Sequence, residues 1–208
     1  MVPAGGYADM RVAVLGLKGP GLAAARALEA GGADVTVWDE DGPQRFTAHT
    51  CGLTVENPTE RDWGDLAALV VEDAALLTRE EPPRLIDLAR AVGAPVIAAR
   101  CLLTEAVARA PGVKLALVTG RHGEAAASLA VHLLDAAGIS AQDLLAGGAP
   151  KPGGWVVAAL SSDELAVLSD IVEAEAFAAL SPDAPAGAAA LDRLADAASH
   201  ALISSAES

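Results

Sequence analysis

The segment VTGRHGEA, residues 118–125, decides the fold expected for this chain. It follows an apolar run, Lys114 to Val118, that predicts a buried strand, and it precedes a run of helix-forming residues, Ala125 to Ala137. A strand, a glycine turn and a helix in this order allow backbone N–H groups and a helix N-terminus to bind phosphate. The segment therefore predicts an α/β domain with the geometry of a phosphate-binding loop.

Two residues of this loop, Glu124 and Ala125, depart from the chemistry of a working nucleotide loop. Such a loop places Lys and then Ser or Thr after its second glycine, where the lysine meets phosphate charge and the hydroxyl binds Mg²⁺. A unit charge about 4 Å away is worth roughly 1 to 4 kcal/mol, so exchanging attraction for repulsion costs about twice that per phosphate charge. We therefore predict a degenerate phosphate loop, made of Gly120, Arg121, His122, Gly123, Glu124 and Ala125.

A second glycine turn, GLKGPG at residues 16–21, lies between two predicted strands, Arg11 to Leu15 and Asp34 to Trp38. An acid that follows the second strand of such a unit hydrogen bonds a ribose or a base in nucleotide-binding folds. The dinucleotide fingerprint requires a glycine where Lys18 stands, so the match is imperfect, and a packing turn with a solvated acid remains an alternative. The nucleotide-binding residues expected from this pattern are Gly16, Leu17, Gly19, Gly21 and Asp39.

Strands and helices alternate along the chain, which predicts parallel sheets with helical crossovers. Pro111–Gly112 divides the pattern into a Rossmann-like domain at residues 1–111 and a second α/β domain at residues 112–208. Glu175 to Leu180 fits a helix by propensity and a strand by position. The other expected strands are Thr50 to Glu56, Leu66 to Val71, Val96 to Ala98, Asp143 to Ala146, Trp155 to Leu160 and His200 to Ser204. The other expected helices are Leu22 to Ala30, Pro82 to Ala91, Leu102 to Ala110, a segment that begins near Asp163, and Ala188 to Ala198, with a turn at Ser181 to Asp183.

Composition excludes several classes of function. The chain has 208 residues, of which 52% are hydrophobic, so it can form a core. Its net charge of −14 disfavours nucleic acid and anionic membrane surfaces, because a polyanion needs a basic face. No run reaches the roughly 18 apolar residues of a membrane span, and no signal peptide is recognised at the N-terminus. We therefore expect a cytoplasmic protein.

Other residues with potential chemistry have simpler explanations. Cys51 and Cys101 lie far apart, and neither they nor the four histidines show metal-ligand spacing, so no metal site is predicted. Ser161 and Ser162 stand between a strand and a helix, where capping is the simpler role. The acids Glu72, Asp73, Glu80 and Glu81 are expected to be solvated.

The order of the motifs resembles that of the Mur ligases, and within them the MurD type, which adds D-glutamate to UDP-N-acetylmuramoyl-L-alanine. The resemblance implies a Rossmann-like UDP-binding domain followed by part of a P-loop-type central ATP-binding domain. The family's third domain, which holds the amino-acid substrate, has no counterpart in the chain. The segments that carry the resemblance are residues 12–39, LIDLARAVGAPVI at 85–97, LALVTGRHGEAAASLAVHLLDAAG at 115–138, AGGAP at 146–150, VVAALSSDEL at 156–165 and LSPDAP at 180–185.

The departures from the family pattern fall on its functional positions. The family loop reads G-[TS]-N-G-K-[ST], and the Glu of its ELSS segment is a Mg²⁺ ligand whose position holds Ala159 here. The family's SPG turn, which faces the UDP-sugar, is replaced around Glu72–Ala74. Further replacements are Pro20 for Ser or Thr, His122 for Asn, Glu124 for Lys, Ala125 for Ser or Thr, Ala149 for Asn and Ala184 for His.

These losses predict a protein with no catalytic residues and no use for ATP or Mg²⁺. The first hypothesis is a MurD-like pseudoenzyme of peptidoglycan precursor synthesis that binds a UDP-sugar nucleotide or a protein partner. A ligand-free interaction module and a nicotinamide-binding Rossmann protein remain alternatives. The resemblance also implies that part of the second sheet lacks the cover it has in the family. We therefore expect a homodimer through that domain, or association with a Mur-type ligase; the alternative is that the helix Ala188 to Ala198 folds back and covers the sheet.

Overall fold

The computed structural model describes residues 1–60, 62–80, 83–168, 172–180 and 188–204. The chain divides into two compact units. Pro3–Leu103 forms the N-terminal unit, and Thr104 onward forms the C-terminal unit together with Met1–Val2. This division falls inside a helix, Ala99–Ala108, whereas the sequence pattern places the domain boundary at Pro111–Gly112.

The N-terminal unit alternates strands and helices around one parallel sheet. Its strands are short and mostly apolar, as is usual for strands covered on both faces. The five strands pair in the order β3-β2-β1-β4-β5, and every pair is parallel. The elements are β1 (Arg11–Leu15), α1 (Gly19–Ala30), β2 (Asp34–Trp38), α2 (Gly42–Thr50), β3 (Thr54–Val55), β4 (Leu66–Val71), α3 (Ala75–Thr78), α4 (Arg84–Ala91), β5 (Val96–Ala98) and α5 (Ala99–Ala108).

The register of this sheet aligns the carboxyl ends of its central strands. Leu15 pairs with Trp38 on one side and with Val71 on the other. The segments that follow β1, β2 and β4 therefore meet at one edge of the sheet. The chain order reverses between β1 and β4, and ligands of open α/β sheets bind at such a switch point.

The C-terminal unit repeats the arrangement with a different strand order. Its five parallel strands pair in the order β10-β9-β6-β8-β7. One buried cluster, Val118, Ala127, Val157 and Ala159, packs the central strands against the helix that follows β6. The elements are β6 (Lys114–Gly120), α6 (Gly123–Ala136), β7 (Ala141–Asp143), β8 (Trp155–Leu160), α7 (Ser162–Val167), β9 (Ala176–Leu180), α8 (Ala188–Ala197) and β10 (His200–Ser204).

The predicted α/β class is confirmed, and most predicted strands have the expected bounds. Within Glu175 to Leu180, which fitted either state, Ala176–Leu180 is a strand because it pairs with β6 and β10, and this pairing overrides the helix propensity of alanine. The helices α1 and α5 begin three residues earlier than expected, and Pro20 near the start of α1 suits that position. Residues 81–82 and the expected turn at 181–183 lie outside the described residues.

Two expectations about secondary structure were wrong. The strand expected at Thr50 to Glu56 is only Thr54–Val55, because Gly42–Thr50 forms a largely exposed helix with too few apolar residues to be recognised from periodicity. The strand expected at Asp143 to Ala146 is Ala141–Asp143. It ends there because the Asp143 carboxylate accepts a hydrogen bond from the Leu145 amide at 2.8 Å, which turns the backbone away.

Candidate functional site

The glycine turn of the N-terminal unit connects β1 to α1 at the carboxyl edge of the sheet. Gly16 has φ +83°, and its N–H donates to the Trp38 carbonyl at 2.9 Å. A Cβ at Gly21 would lie 1.9 Å from the Gly16 carbonyl oxygen, so α1 approaches the turn more closely than a side chain permits. Gly19 is the first residue of α1. The sheet edge thus brings the predicted residues 16–21 together in one turn.

Asp39 joins this turn from the end of β2. One carboxylate oxygen accepts the Leu17 N–H at 2.7 Å, and the other accepts the Asp41 N–H at 2.8 Å. Asp39 is half-buried and holds the turn in place, so it is more than the solvated acid of the alternative interpretation. It remains next to the turn, where a ribose or base would be read in nucleotide folds.

A cleft lies at the carboxyl ends of β2 and β3. Its volume is about 460 Å³, and its lining is Trp38, Val55, Glu56, Asn57 and Glu60. The Arg45 guanidinium lies over the Trp38 ring, with its Cζ atom 4.7 Å from the ring centroid. This cation–π contact helps to hold the ring in place at the side of the cleft. The cleft offers an aromatic face and polar side chains beside the turn, a combination that suits a nucleoside.

Glu72, which begins the segment in place of the family's SPG turn, is a member of this site whose contacts the sequence did not predict. Its backbone N–H donates to the Leu15 carbonyl at 2.9 Å, and its side chain accepts the Lys18 N–H at 3.1 Å. Burial raises the pKa of Glu72, the Lys18 amide bond opposes that shift, and the nearby Asp39 charge adds to it. The expectation that Glu72 is a solvated acid was therefore wrong, because the strand pairing carries it into the turn.

The degenerate loop of the C-terminal unit lies at the carboxyl end of β6. Gly120 has φ +106°, and a Cβ there would lie 1.7 Å from the Leu180 carbonyl oxygen. The buried Thr119 hydroxyl donates to the Leu160 carbonyl at 2.7 Å, which ties the end of β6 to the end of β8. Arg121 and His122 are exposed between β6 and α6. The strand, glycine turn and helix expected from the sequence are all present.

The side chains at this loop do not fit Mg²⁺ and ATP. Glu124 is exposed in the first turn of α6, and Ala125 follows it, so a carboxylate and a methyl group stand where a cation and a hydroxyl are needed. Ala159 is buried in the apolar cluster with Val118 and Ala127. A metal needs oxygen ligands, and an apolar cluster supplies none. We therefore derive no step through ATP or Mg²⁺ at this loop.

Ser161 caps the helix after β8, as expected, and Ser162 is the first residue of that helix. The Ser161 hydroxyl accepts the Glu164 N–H at 3.2 Å, and the Glu164 carboxylate accepts the Ser161 N–H at 2.7 Å. This reciprocal pair is a capping box, which satisfies two helix N–H groups. The hydroxyl of Ser161 therefore has a structural role.

An apolar groove of about 560 Å³ lies on one face of the C-terminal unit. Side chains of α6 and of the strands β10, β9, β6 and β8 line it, among them Leu133, Trp155 and Leu202. Leu133 is 58% exposed and Leu202 is 60% exposed, so the groove is open to solvent. Exposed apolar surface of this kind marks an interaction site or an aggregation liability.

Within the parts of the chain that the structure describes, no group of three or more His, Cys, Asp or Glu side chains could hold a metal ion. Among the helices of those same parts, none has the length and apolar character needed to cross a membrane.

Comparison with known proteins identifies the family. No protein-family model matches the chain. The chain is 33% identical over 174 residues to the UDP-N-acetylmuramoylalanine–D-glutamate ligase of Rhizobium etli, with 79% of this chain and 37% of that protein aligned. It is 38% identical over 142 residues to the ligase of that name from Caulobacter sp. strain K31, with 66% of this chain and 30% of that protein aligned. The chain belongs to the Mur ligase family.

Solved structures of Mur ligases share the fold. UDP-N-acetylmuramate–alanine ligase MurC from Thermotoga maritima superposes with a TM-score of 0.64 at 14% identity, over 94% of this chain and 49% of that one. UDP-N-acetylmuramate:L-alanyl-gamma-D-glutamyl-meso-diaminopimelate ligase (MPL) from Neisseria meningitides superposes with a TM-score of 0.57 at 16% identity, over 92% of this chain and 69% of that one. At these identities the likeness concerns the fold alone. The chain spans about a third of the length of the curated relatives it matches.

Proposed function

We propose that this chain is a non-catalytic, MurD-like member of the Mur ligases. It acts in the cytoplasm in the context of peptidoglycan precursor synthesis, and it binds a UDP-type nucleotide through the N-terminal unit. The observation that carries the proposal is the loop after β6, where Glu124 and Ala125 lie in the first turn of α6. The buried Ala159 on the neighbouring strand adds to it, since no carboxylate stands there for a metal.

The nucleotide part of the proposal has support from the N-terminal unit. The glycine turn and Asp39 lie at the carboxyl ends of β1 and β2, next to the switch point between β1 and β4, and the cleft beside Trp38 lies at the carboxyl ends of β2 and β3. Backbone N–H groups at the start of α1 favour a diphosphate, and the cleft has room for a nucleoside. A nicotinamide dinucleotide is the weaker candidate, because Lys18 stands where its fingerprint requires a glycine.

We expect UDP to stabilise the protein and Mg²⁺·ATP to leave its thermal unfolding unchanged. A ligand at 100 times its dissociation constant adds about 2.7 kcal/mol of stability, which a thermal-shift measurement detects readily.

Asp39→Ala removes the carboxylate that orders the turn, so it should lower UDP affinity about tenfold or more. Asp34→Ala, an exposed acid at the start of β2, is the matched control and should bind UDP normally. Equal binding by both variants, or stabilisation by ATP alone, would refute the proposal.

The apolar groove favours a second candidate role, self-association of the C-terminal unit. We expect a second copy of this chain to cover the groove, because two-fold dimers are the commonest oligomers and exposed leucines gain most from burial. Light scattering should then give more than the 20.8 kDa of a monomer at micromolar concentrations. Leu133→Lys, in the groove, should restore the monomer, whereas Leu129→Lys, equally exposed on α6 but outside the groove, should not. A monomeric parent protein would exclude self-association and leave a Mur-type ligase as the partner to test.

A further inference from the structure

Glu72 has its backbone held beside the glycine turn by the sheet itself. It directly follows β4, and its N–H donates to the Leu15 carbonyl at 2.9 Å, which extends the β1–β4 ladder by one residue. The side chain therefore starts at the carboxyl edge of the sheet, next to the first residue of the turn.

The Glu72 side chain occupies the space that the glycines leave open. A Cβ added to Gly16 would lie 2.5 Å from the Glu72 Oε2 and 2.6 Å from the Glu72 Cβ. A Cβ added to Gly21 would lie 3.4 Å from the Glu72 Cβ. Bare backbone of this kind lets a phosphate approach closely in nucleotide folds. Here the carboxylate of Glu72 occupies the space through which a phosphate would approach.

The hydrogen-bond donors of the turn are engaged by carboxylates in the same way. Lys18 N–H donates to Glu72 at 3.1 Å, and Leu17 N–H donates to Asp39 at 2.7 Å. Pro20 has no N–H to offer. Asp39 orders the turn through Leu17, so a diphosphate that enters the turn must compete with Glu72 for the Lys18 N–H.

We propose that Glu72 is an autoinhibitory side chain. It occupies the anion cradle of the glycine turn, defined as the Lys18 N–H and the open space beside Gly16, and it must move out before the diphosphate of a nucleotide can bind. The inference rests on the proposed function, because it assumes that the N-terminal unit takes a UDP-type ligand. It goes further in assigning the control of that binding to one carboxylate.

The charges around Glu72 make its release sensitive to pH. The groups that face it are Lys18 in the turn, Asp39 after β2 and Asp73 in its own segment. Burial is the largest cause that raises the pKa of Glu72, and the negative charges of Asp39 and Asp73 raise it further. The hydrogen bond from the Lys18 amide and the charge of the Lys18 ammonium lower it. Since the pKa is raised, a fall in pH protonates Glu72 before an exposed glutamate and weakens its hold on the Lys18 N–H. UDP affinity should therefore rise as the pH falls.

The test compares three variants by isothermal titration with UDP at pH 7.5 and pH 6. Glu72→Ala empties the cradle and Glu72→Gln removes only the charge, so each should bind UDP about tenfold more tightly than the parent protein at pH 7.5. Asp73→Asn is the matched control: its side chain is exposed and accepts the Ala75 N–H instead, so its affinity should change by no more than about threefold. Because UDP itself titrates in this range, the ratio of parent to Glu72→Gln affinity is measured, and it should be closer to one at pH 6 than at pH 7.5. Inorganic pyrophosphate should show the same dependence on Glu72, and uridine should show none.

A ligand-free measurement separates this inference from the proposed function. The amide resonance of Lys18 should follow the ionisation of Glu72 in a pH titration and lose that response in Glu72→Gln. If UDP binds the parent protein and Glu72→Ala equally, or if the Lys18 amide does not respond, the autoinhibition is refuted while nucleotide binding stands. If the amide responds and neither UDP nor pyrophosphate binds any variant, nucleotide binding is refuted. The control of that binding by Glu72 is then refuted as well.

Discussion

Replacing Gly120 with alanine should lower the free energy of unfolding of the C-terminal unit by about 3 kcal/mol or more. The backbone of Gly120 has φ +106°, which L-residues rarely adopt. The added Cβ would lie 1.7 Å from the carbonyl oxygen of Leu180 and 2.6 Å from its carbonyl carbon. Both are backbone atoms of β9, which pairs with β6 at this position, so relief of the clash requires the two strands to separate. Urea denaturation measures the loss, and amide exchange in β6 shows which unit opens.

Gly123→Ala is the matched control in the same loop. Its nearest neighbour would be the Val118 carbonyl oxygen at 3.7 Å, an ordinary van der Waals distance, and Gly123 has no positive φ. As the first residue of α6 it should tolerate alanine within about 1 kcal/mol, since alanine favours the helix. Similar losses for both glycines would contradict the close approach of Gly120 to β9.

The second large effect concerns the phosphate loop. The parent protein should bind Mg²⁺·ATP at most very weakly and release no phosphate, whereas Glu124→Lys with Ala125→Thr should bind ATP about 30-fold or more tightly than the parent. The change replaces a repulsive charge near the phosphates with an attractive one, worth at least about 2 kcal/mol by the Coulomb estimate. It also restores a hydroxyl in the first turn of α6. Isothermal titration with Mg²⁺·ATP measures the gain.

A graded variant isolates the charge. Glu124→Gln with Ala125→Thr removes the repulsion without adding attraction, so its ATP affinity should fall between those of the parent and the lysine variant. Phosphate release by the parent in the presence of D-glutamate and UDP-N-acetylmuramoyl-alanine would overturn the non-catalytic proposal. A folded lysine variant with no gain would show that the loop lacks a phosphate-binding geometry.

Strands were the elements best predicted from sequence. β1, β2, β4 and β8 have the bounds expected from their apolar runs, because a parallel strand covered on both faces is a continuous hydrophobic segment. Both glycine turns were also recognisable, since φ values such as +83° at Gly16 and +106° at Gly120 need glycine.

The helix α2 and the strand β9 were not predictable from the sequence in this way. The helix α2 is mostly exposed and shows little apolar periodicity, so its Gly-Pro start gave too weak a signal. The segment that became β9 is alanine-rich, and only its pairing with β6 and β10 makes it a strand. The outcome for β9 depends on strands that are distant in the sequence, whereas α2 was missed because an exposed helix carries few apolar residues.

The sequence by itself determined the α/β class, the two glycine turns and the replacement of the phosphate-loop lysine by Glu124. These properties depend on residue types within a few positions of one another. Only the tertiary structure decided the strand order and the environment of Glu72. The Glu72 carboxylate and the Lys18 amide are 54 residues apart in the chain, and they meet because β4 pairs beside β1 in that register. Local patterns carry no information about such a contact, since it is created by the pairing of strands across the sheet.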